Sequence, residues 1–153
     1  MIRIIIGFLS ILILCCCSEN NEIIEEPDSL IIGQWNLSKI TNIWNGCTLP
    51  AEDITHAYQF NENDTFIKML SQGDSIVHFN GIYTVTTEDP RFRDSDLMIS
   101  KFVELSYPSP DDSFFSCGIL DAGIEILILT ADGFLKNKFQ GVCDGNEYYY
   151  EKN

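Results

Sequence analysis

The chain has 153 residues and carries 23 acidic side chains against 9 basic ones, for a net charge of −14. That length holds one domain once any targeting segment is set aside. The charge argues against nucleic acid and anionic membrane surfaces as partners, because phosphate binding takes a basic patch that releases counterions.

The first element is a leader. Arg3 gives a minimal positive start, and residues 4–14 form an uncharged, largely apolar run. A bilayer-spanning helix takes roughly 20 apolar residues and the apolar part of a secretory signal about 7–15, so the run reads as a signal segment. Next come "CCC" and then "SENNEIIEEPDS", which is polar, acidic and without core-forming periodicity. Three adjacent cysteines suit neither a metal, which wants convergent ligands, nor disulfide geometry.

"LCCC" followed by "SENNE" resembles the lipobox of a bacterial lipoprotein, where an aliphatic residue at −3 and a small one at −1 precede the cysteine that becomes the lipidated N-terminus. Cys17 fits, with Leu14 at −3 and Cys16 at −1; Cys16 is the alternative, with Ile13 and Cys15 in those places. Cysteine at −1, where Gly, Ala or Ser is usual, departs from the pattern. The resemblance implies a cleaved signal peptide over residues 1–16, a lipidated acidic tether over residues 17–29, and a folded domain over residues 30–153. The acyl chains, palmitate among them, would bury many methylenes at ~0.8 kcal/mol each. Ser18 and Glu19, with Glu22, Glu25 and Glu26 beyond, also resemble the export signal of some gram-negative surface lipoproteins. The implied location is the outer membrane or the cell surface, reached through the N-terminal lipid.

From Leu30 onward the hydrophobic period is two. In chain order the strand-like runs are "IIGQWNLSKI", "HAYQF", "DTFIKML", "SIVHFNGIYTVT", "DLMISKFVEL", a shorter "SFFSC", "IEILILT" and "EYYYEK". In the fourth, Val77, Phe79, Tyr83 and Val85 share one face while Ile76, His78, Asn80, Ile82 and Thr84 share the other. Turn clusters such as "NEND", "SQGD", "YPSPDD" and "ADG" separate the runs. About eight strands and no amphipathic helix predict an all-β domain, either a sandwich or a single up-and-down antiparallel β-barrel. The barrel is favoured because closure leaves no open edge.

"IIGQWNLSKI" places Gly33 and Trp35 in a G-x-W that resembles the lipocalin opening motif. "YQFNENDTF" and "NGIYTV" are similar to the second hairpin and a later strand of bacterial lipocalin-like lipoproteins, with Ile82 where Thr is usual. The resemblance spans residues 31–152. It implies a lipocalin-like barrel in which Trp35 packs across the closed end and Gly33 lets the chain turn in. Later lipocalin motifs are missing, and no arginine near the last strand is available to stack on Trp35.

In such a barrel the last strand pairs with the first, which brings Cys47, after the first strand, towards Cys143, before the last. A Cys47–Cys143 disulfide across the seam is therefore expected, with Cys117–Cys143 or three reduced thiols as alternatives. The chain offers only His56 and His78 as bases and lacks the common hydrolase, zincin, Walker and Rossmann motifs, so no enzyme and no cofactor are expected. "NENDT", "DSD" and "DGNE" lack the spacing of a calcium loop and read as turns, so no metal is expected. Tyr148 and Tyr150 alternate with Tyr149 and are candidates to line a lumen. The expected function is non-enzymatic: a lipid-anchored lipocalin-like protein that binds or carries a small apolar ligand. The alternative is an interaction module, an inhibitor or accessory subunit for an envelope protein partner, built on a solid barrel.

Overall fold

The computed structural model describes residues 29–51, 54–87, 99–109, 123–137 and 145–153. The expected signal peptide, the tether up to residue 28, "SFFSC", Cys117 and Cys143 lie outside them. Strands are β1 (Gly33–Asn42), β2 (Thr48–Pro50), β3 (His56–Phe60), β4 (Thr65–Gln72), β5 (Ser75–Thr86), β6 (Ile99–Ser106), β7 (Ile124–Thr130), β8 (Leu135–Asn137) and β9 (Asn146–Lys152). Every pairing is antiparallel, and β9 returns to β1 from Asn42↔Asn146 to Trp35↔Lys152. The sheet is thereby closed into an eight-stranded up-and-down barrel, as the period-two pattern predicts, and not a sandwich. No helix among the described residues is long and apolar enough to cross a membrane.

Two strands depart from the sequence reading. β2 is a three-residue flap outside the ring. The start of β1 pairs with β3 through Asn36↔Ala57, and its end pairs with β2 through Lys39↔Pro50. β8 completes the ring, although "LKN" has no apolar alternation to announce it. Its backbone partners come from β7 and β9 on either side, so the ladder rather than side-chain pattern makes it a strand.

Alternation sends one face of each strand into the lumen. In β5, Val77, Phe79, Tyr83 and Val85 are the shielded positions, while Ile76, His78, Asn80, Ile82 and Thr84 are exposed. The main core joins Trp35, Leu37, Tyr58, Phe60, Phe66, Tyr83, Val103, Leu105, Leu127, Leu129, Leu135 and Tyr150, each at most 8 % exposed. Its rings touch in sequence: Tyr150 on Tyr58 at 5.0 Å between centroids, Tyr58 on Phe60 at 6.0 Å, and Phe60 on Tyr83 at 5.0 Å. Phe66 meets Tyr107 at 5.0 Å. Tyr58 and Phe60 are stacked and the other three pairs edge-to-face, and such contacts add about 0.5–1.5 kcal/mol beyond the area they bury. β7 is buried on both faces, because Ile126 and Ile128 pack with Phe102 in a second cluster.

At the end where the chain enters, Trp35 is 2 % exposed and its indole N–H donates to the Ile31 carbonyl at 2.8 Å. The Lys152 ammonium lies 5.8 Å from the Trp35 ring centroid and donates to the Leu30 carbonyl at 3.0 Å. The cation over Trp35 is therefore a lysine of the last strand. Gly33 makes this fit feasible: its φ is +125°, and a Cβ there would stand 3.0 Å from Lys152 Cε. Gly33→Ala should cost about 1–3 kcal/mol through backbone strain, read as a lower urea midpoint with an unchanged slope.

Candidate functional site

Two charged side chains sit where the alternation of β4 and β7 directs them, inside the barrel. Lys68 shares the inner face of β4 with Phe66, and Glu125 shares that of β7 with Leu127; they are 1 % and 3 % exposed. A lone buried charge would cost several kcal/mol of lost hydration, so the pair persists only if each partner is satisfied. Lys68 Nζ donates to both carboxylate oxygens of Glu125, at 3.0 Å to Oε1 and 2.9 Å to Oε2.

The remaining acceptor capacity of Glu125 is taken by three more buried donors. The Tyr58 hydroxyl donates to Oε1 at 2.8 Å, the Asn137 amide to Oε1 at 2.6 Å, and the Tyr107 hydroxyl to Oε2. The Lys68 ammonium also faces the Tyr58 ring, at 5.3 Å from its centroid. β3, β4, β7, β8 and the residue after β6 thus meet at one carboxylate. Beside them, the Tyr150 hydroxyl lies 3.2 Å from His56 Nε2, and the two rings pack edge-on at 5.2 Å.

The electrostatics follow from burial. Loss of hydration, then the Glu125 charge, raises Tyr58 and Tyr150 well above the ordinary tyrosine value, which keeps both protonated. Burial lowers Lys68 below the ordinary lysine value, while Glu125 opposes that shift. Burial, then the nearby Lys68 charge, lowers His56 well below 6.5 and keeps it neutral. Lysine and carboxylate cancel, and Tyr58 and Tyr107 act as donors to Glu125. The cluster is built to satisfy a charge pair and lock strands together.

A cleft of about 450 Å³ opens in the wall where β1 changes partner from β3 to β2, lined by Leu37, Ser38, Pro50, Ala51, Ile54 and His56 among others. No protein-family model, no curated protein and no solved structure matches this chain.

Of the residues singled out in the sequence, Tyr150 lies in the lumen core with Tyr148 packed against that core. Tyr149 faces outward, where Lys39 stands 4.5 Å from its ring centroid. Gly33 and Trp35 meet at the chain's entry. Cys47 is exposed and is a free cysteine among the described residues, while the expected pairing falls on a residue outside them. Cys17 and Cys143 lie outside the described residues. "NENDT" is a turn: the Asn61 N–H donates to the Thr65 carbonyl at 2.9 Å, and Asp64 takes φ 58°. No group of metal-ligating side chains occurs among the described residues. The Lys68–Glu125 cluster has a signal in the sequence, namely one charge of each sign set singly into otherwise apolar strands.

Lys68→Met leaves Glu125 buried without its counter-ion and should lower unfolding free energy by about 3–5 kcal/mol in urea titration. The neutral state of His56 also sets a pH dependence. Between its folded value and about 6.5 the unfolded chain binds a proton that the folded chain does not. Stability is then full above 6.5 and falls as pH drops through that window, by up to about 1.4 kcal/mol per pH unit. Melting curves from pH 7.5 to 5 should show this slope, and His56→Gln should flatten it.

Proposed function

We propose that this chain is a lipid-anchored, non-enzymatic lipocalin-like protein of the outer membrane or cell surface, working as a protein-interaction module on a solid barrel. One observation carries the choice over a ligand carrier: the inner faces of the strands are occupied by touching rings and by a charge cluster whose groups already bond one another. An eight-stranded barrel has room for side chains or for one small ligand, and here aromatic bodies take that room. An apolar ligand seated between the inner-face rings would have to displace Tyr58 and Tyr150 and leave Glu125 and Lys68 short of partners, which is costly.

The lipocalin-like part of the reading is supported by the arrangement of Gly33, Trp35 and Lys152, which seals one end as the G-x-W resemblance implies. The anchor is supported by the leader and the lipobox-like "LCCC". A chain with net charge −14 has little attraction for anionic headgroups, so acyl chains are a fitting means of attachment.

The test is native mass spectrometry of the protein purified from its own envelope in mild detergent. A stoichiometric protein partner without a co-purifying small molecule is expected; a bound apolar small molecule would restore the carrier reading. In the same cells, label from a palmitate analogue should be lost in Cys17→Ala, and retained label would move the lipid to Cys16 or Cys15.

A further inference from the structure

Charge is laid unevenly over the outside of the barrel. Among the described residues, the outward positions of β1, β6, β8 and β9 carry Lys39, Glu104, Lys136, Glu147 and Glu151, whereas those of β3, β4 and β5 carry no Asp, Glu, Lys or Arg. Lys68, the one such residue within those three strands, points inward. In a chain of net charge −14, a neutral wall three strands wide is the exception. The large apolar side chains exposed on the ring strands, Ile76 at 52 % and Ile82 at 59 %, both stand on it. Apolar groups gathered on one neutral face mark a contact.

The order of side chains on that wall indicates its occupant. Outward residues of β5 run Ile76, His78, Asn80, Ile82, and those of β4 lie beside them in the register Ser71↔Ile76, Met69↔His78, Ile67↔Asn80 and Thr65↔Ile82. Reversing the strand direction returns nearly the same surface: isoleucine at both ends of β5 with two polar side chains between, and hydroxyls at both ends of β4 with two apolar side chains between. A two-fold interface has this requirement, since one patch must match its own reversed image. The centre of the pattern is the Lys68↔Phe79 pair, the midpoint of both rows. A two-fold axis lying across the strands at that level would set Ile76 on Ile82 of a second copy, Ile67 on Met69, Thr65 against Ser71, and the His78 imidazole against the Asn80 amide. Apolar groups would meet apolar groups and polar groups polar ones. We infer that the β4–β5 wall docks a second copy of this chain, face to face and with strands antiparallel.

Size and charge set the strength of this pairing. Two strands followed from Thr65 to Ser71 make a stripe of roughly 10 by 24 Å, short of the ~800 Å² per partner of a stable complex. The dimer is therefore weak and depends on concentration. On the reading of a lipid on Cys17, confinement to one membrane supplies that concentration. The rims of the stripe are acidic, with Asp74 in the turn between β4 and β5, Asp64 just before Thr65, and Glu104 opposite Thr84. Two copies bring these like charges near one another at the edges, so salt should strengthen the contact, the reverse of what a partner with a basic rim would show. Pairing by an outer wall is independent of what fills the lumen and so goes beyond the interaction-module reading.

The test places a photo-crosslinking amino acid in the full-length chain in its own envelope, at position 76 or 82 and, as a control, at position 151 on the charged wall. A dimer crosslinked from 76 into the peptide holding Ile82, and from 82 into the peptide holding Ile76, with none from 151, is expected. Energy transfer between two labelled populations of the full chain, in vesicles of phosphatidylethanolamine and phosphatidylglycerol, then measures pairing. Ile76→Lys and Ile82→Glu should each weaken it at least about 10-fold, because each sets a charge against an isoleucine. The double variant, which puts a lysine opposite a glutamate at both contacts, should recover most of it. Melting temperatures of all three variants should match wild type, and added salt should strengthen wild-type pairing. No dimer from 76 or 82, an equal yield from 151, or single variants that pair as wild type overturns the wall as the contact. Failure of the double variant to recover overturns the antiparallel register. A different protein crosslinked from 76 and 82 overturns the second copy and gives the wall to an envelope partner. A small molecule in the native mass spectrum beside the expected dimer overturns the interaction-module reading and leaves the pairing standing.

Discussion

The Lys68–Glu125 pair constrains the rest of this barrel, because an ion pair taken out of water is tolerable only when every donor and acceptor around it is used. Glu125, on β7, accepts from an ammonium, two phenols and an amide that arrive from four other parts of the sheet. A one-residue slip of β4 or β7 would turn Lys68 or Glu125 to the outer face and leave the other buried and unpaired. The charge pair therefore contributes less as net stabilisation than as a penalty on every wrong register. The hydrophobic effect drives closure, and the ion pair selects which closure.

Burial of the cluster also bears on function. Tyrosines that serve as donors to a carboxylate, and a histidine held neutral beside a lysine, are groups arranged to stay as they are. With the aromatic chain from Tyr150 to Tyr83 they line the inner faces of the described strands with groups that touch or bond one another. Trp35 and Lys152 close the entry end by the same economy, since one lysine covers an indole and also bonds the carbonyl of Leu30. A barrel of this kind displays its outside well, and its charge-free wall lies on β3, β4 and β5. Closing the ring leaves β2 outside it, at the end of the strand order and paired with β1.

Much of the architecture is legible in the order of residues. "SIVHFNGIYTVT" gives its inner and outer faces directly, since a period of two has one physical meaning on a pleated strand. Gly33 and Trp35 mark the entry for the same local reason, a backbone bend next to a large ring. β8 is not legible, because three residues with two polar side chains carry no period and depend on neighbours to supply their hydrogen bonds. The roles of Lys68 and Glu125 are half legible. Each stands alone in an apolar strand, yet 57 residues separate them, and only the register across the barrel makes them partners.

By itself the sequence determined the all-β class, the faces of the long strands and an N-terminal segment that resembles a lipoprotein address, and it favoured a barrel over a sandwich. These follow from local physics: backbone preference, side-chain alternation and the length of an apolar run. Only the tertiary structure decided that rings on the inner faces of the described strands touch one another, that the charge over Trp35 comes from Lys152, and that Trp44 is exposed on a hydrogen-bonded turn. Contacts and exposure alike depend on where residues far apart in the chain come to lie, which alternation cannot encode and which closure of the sheet sets all at once.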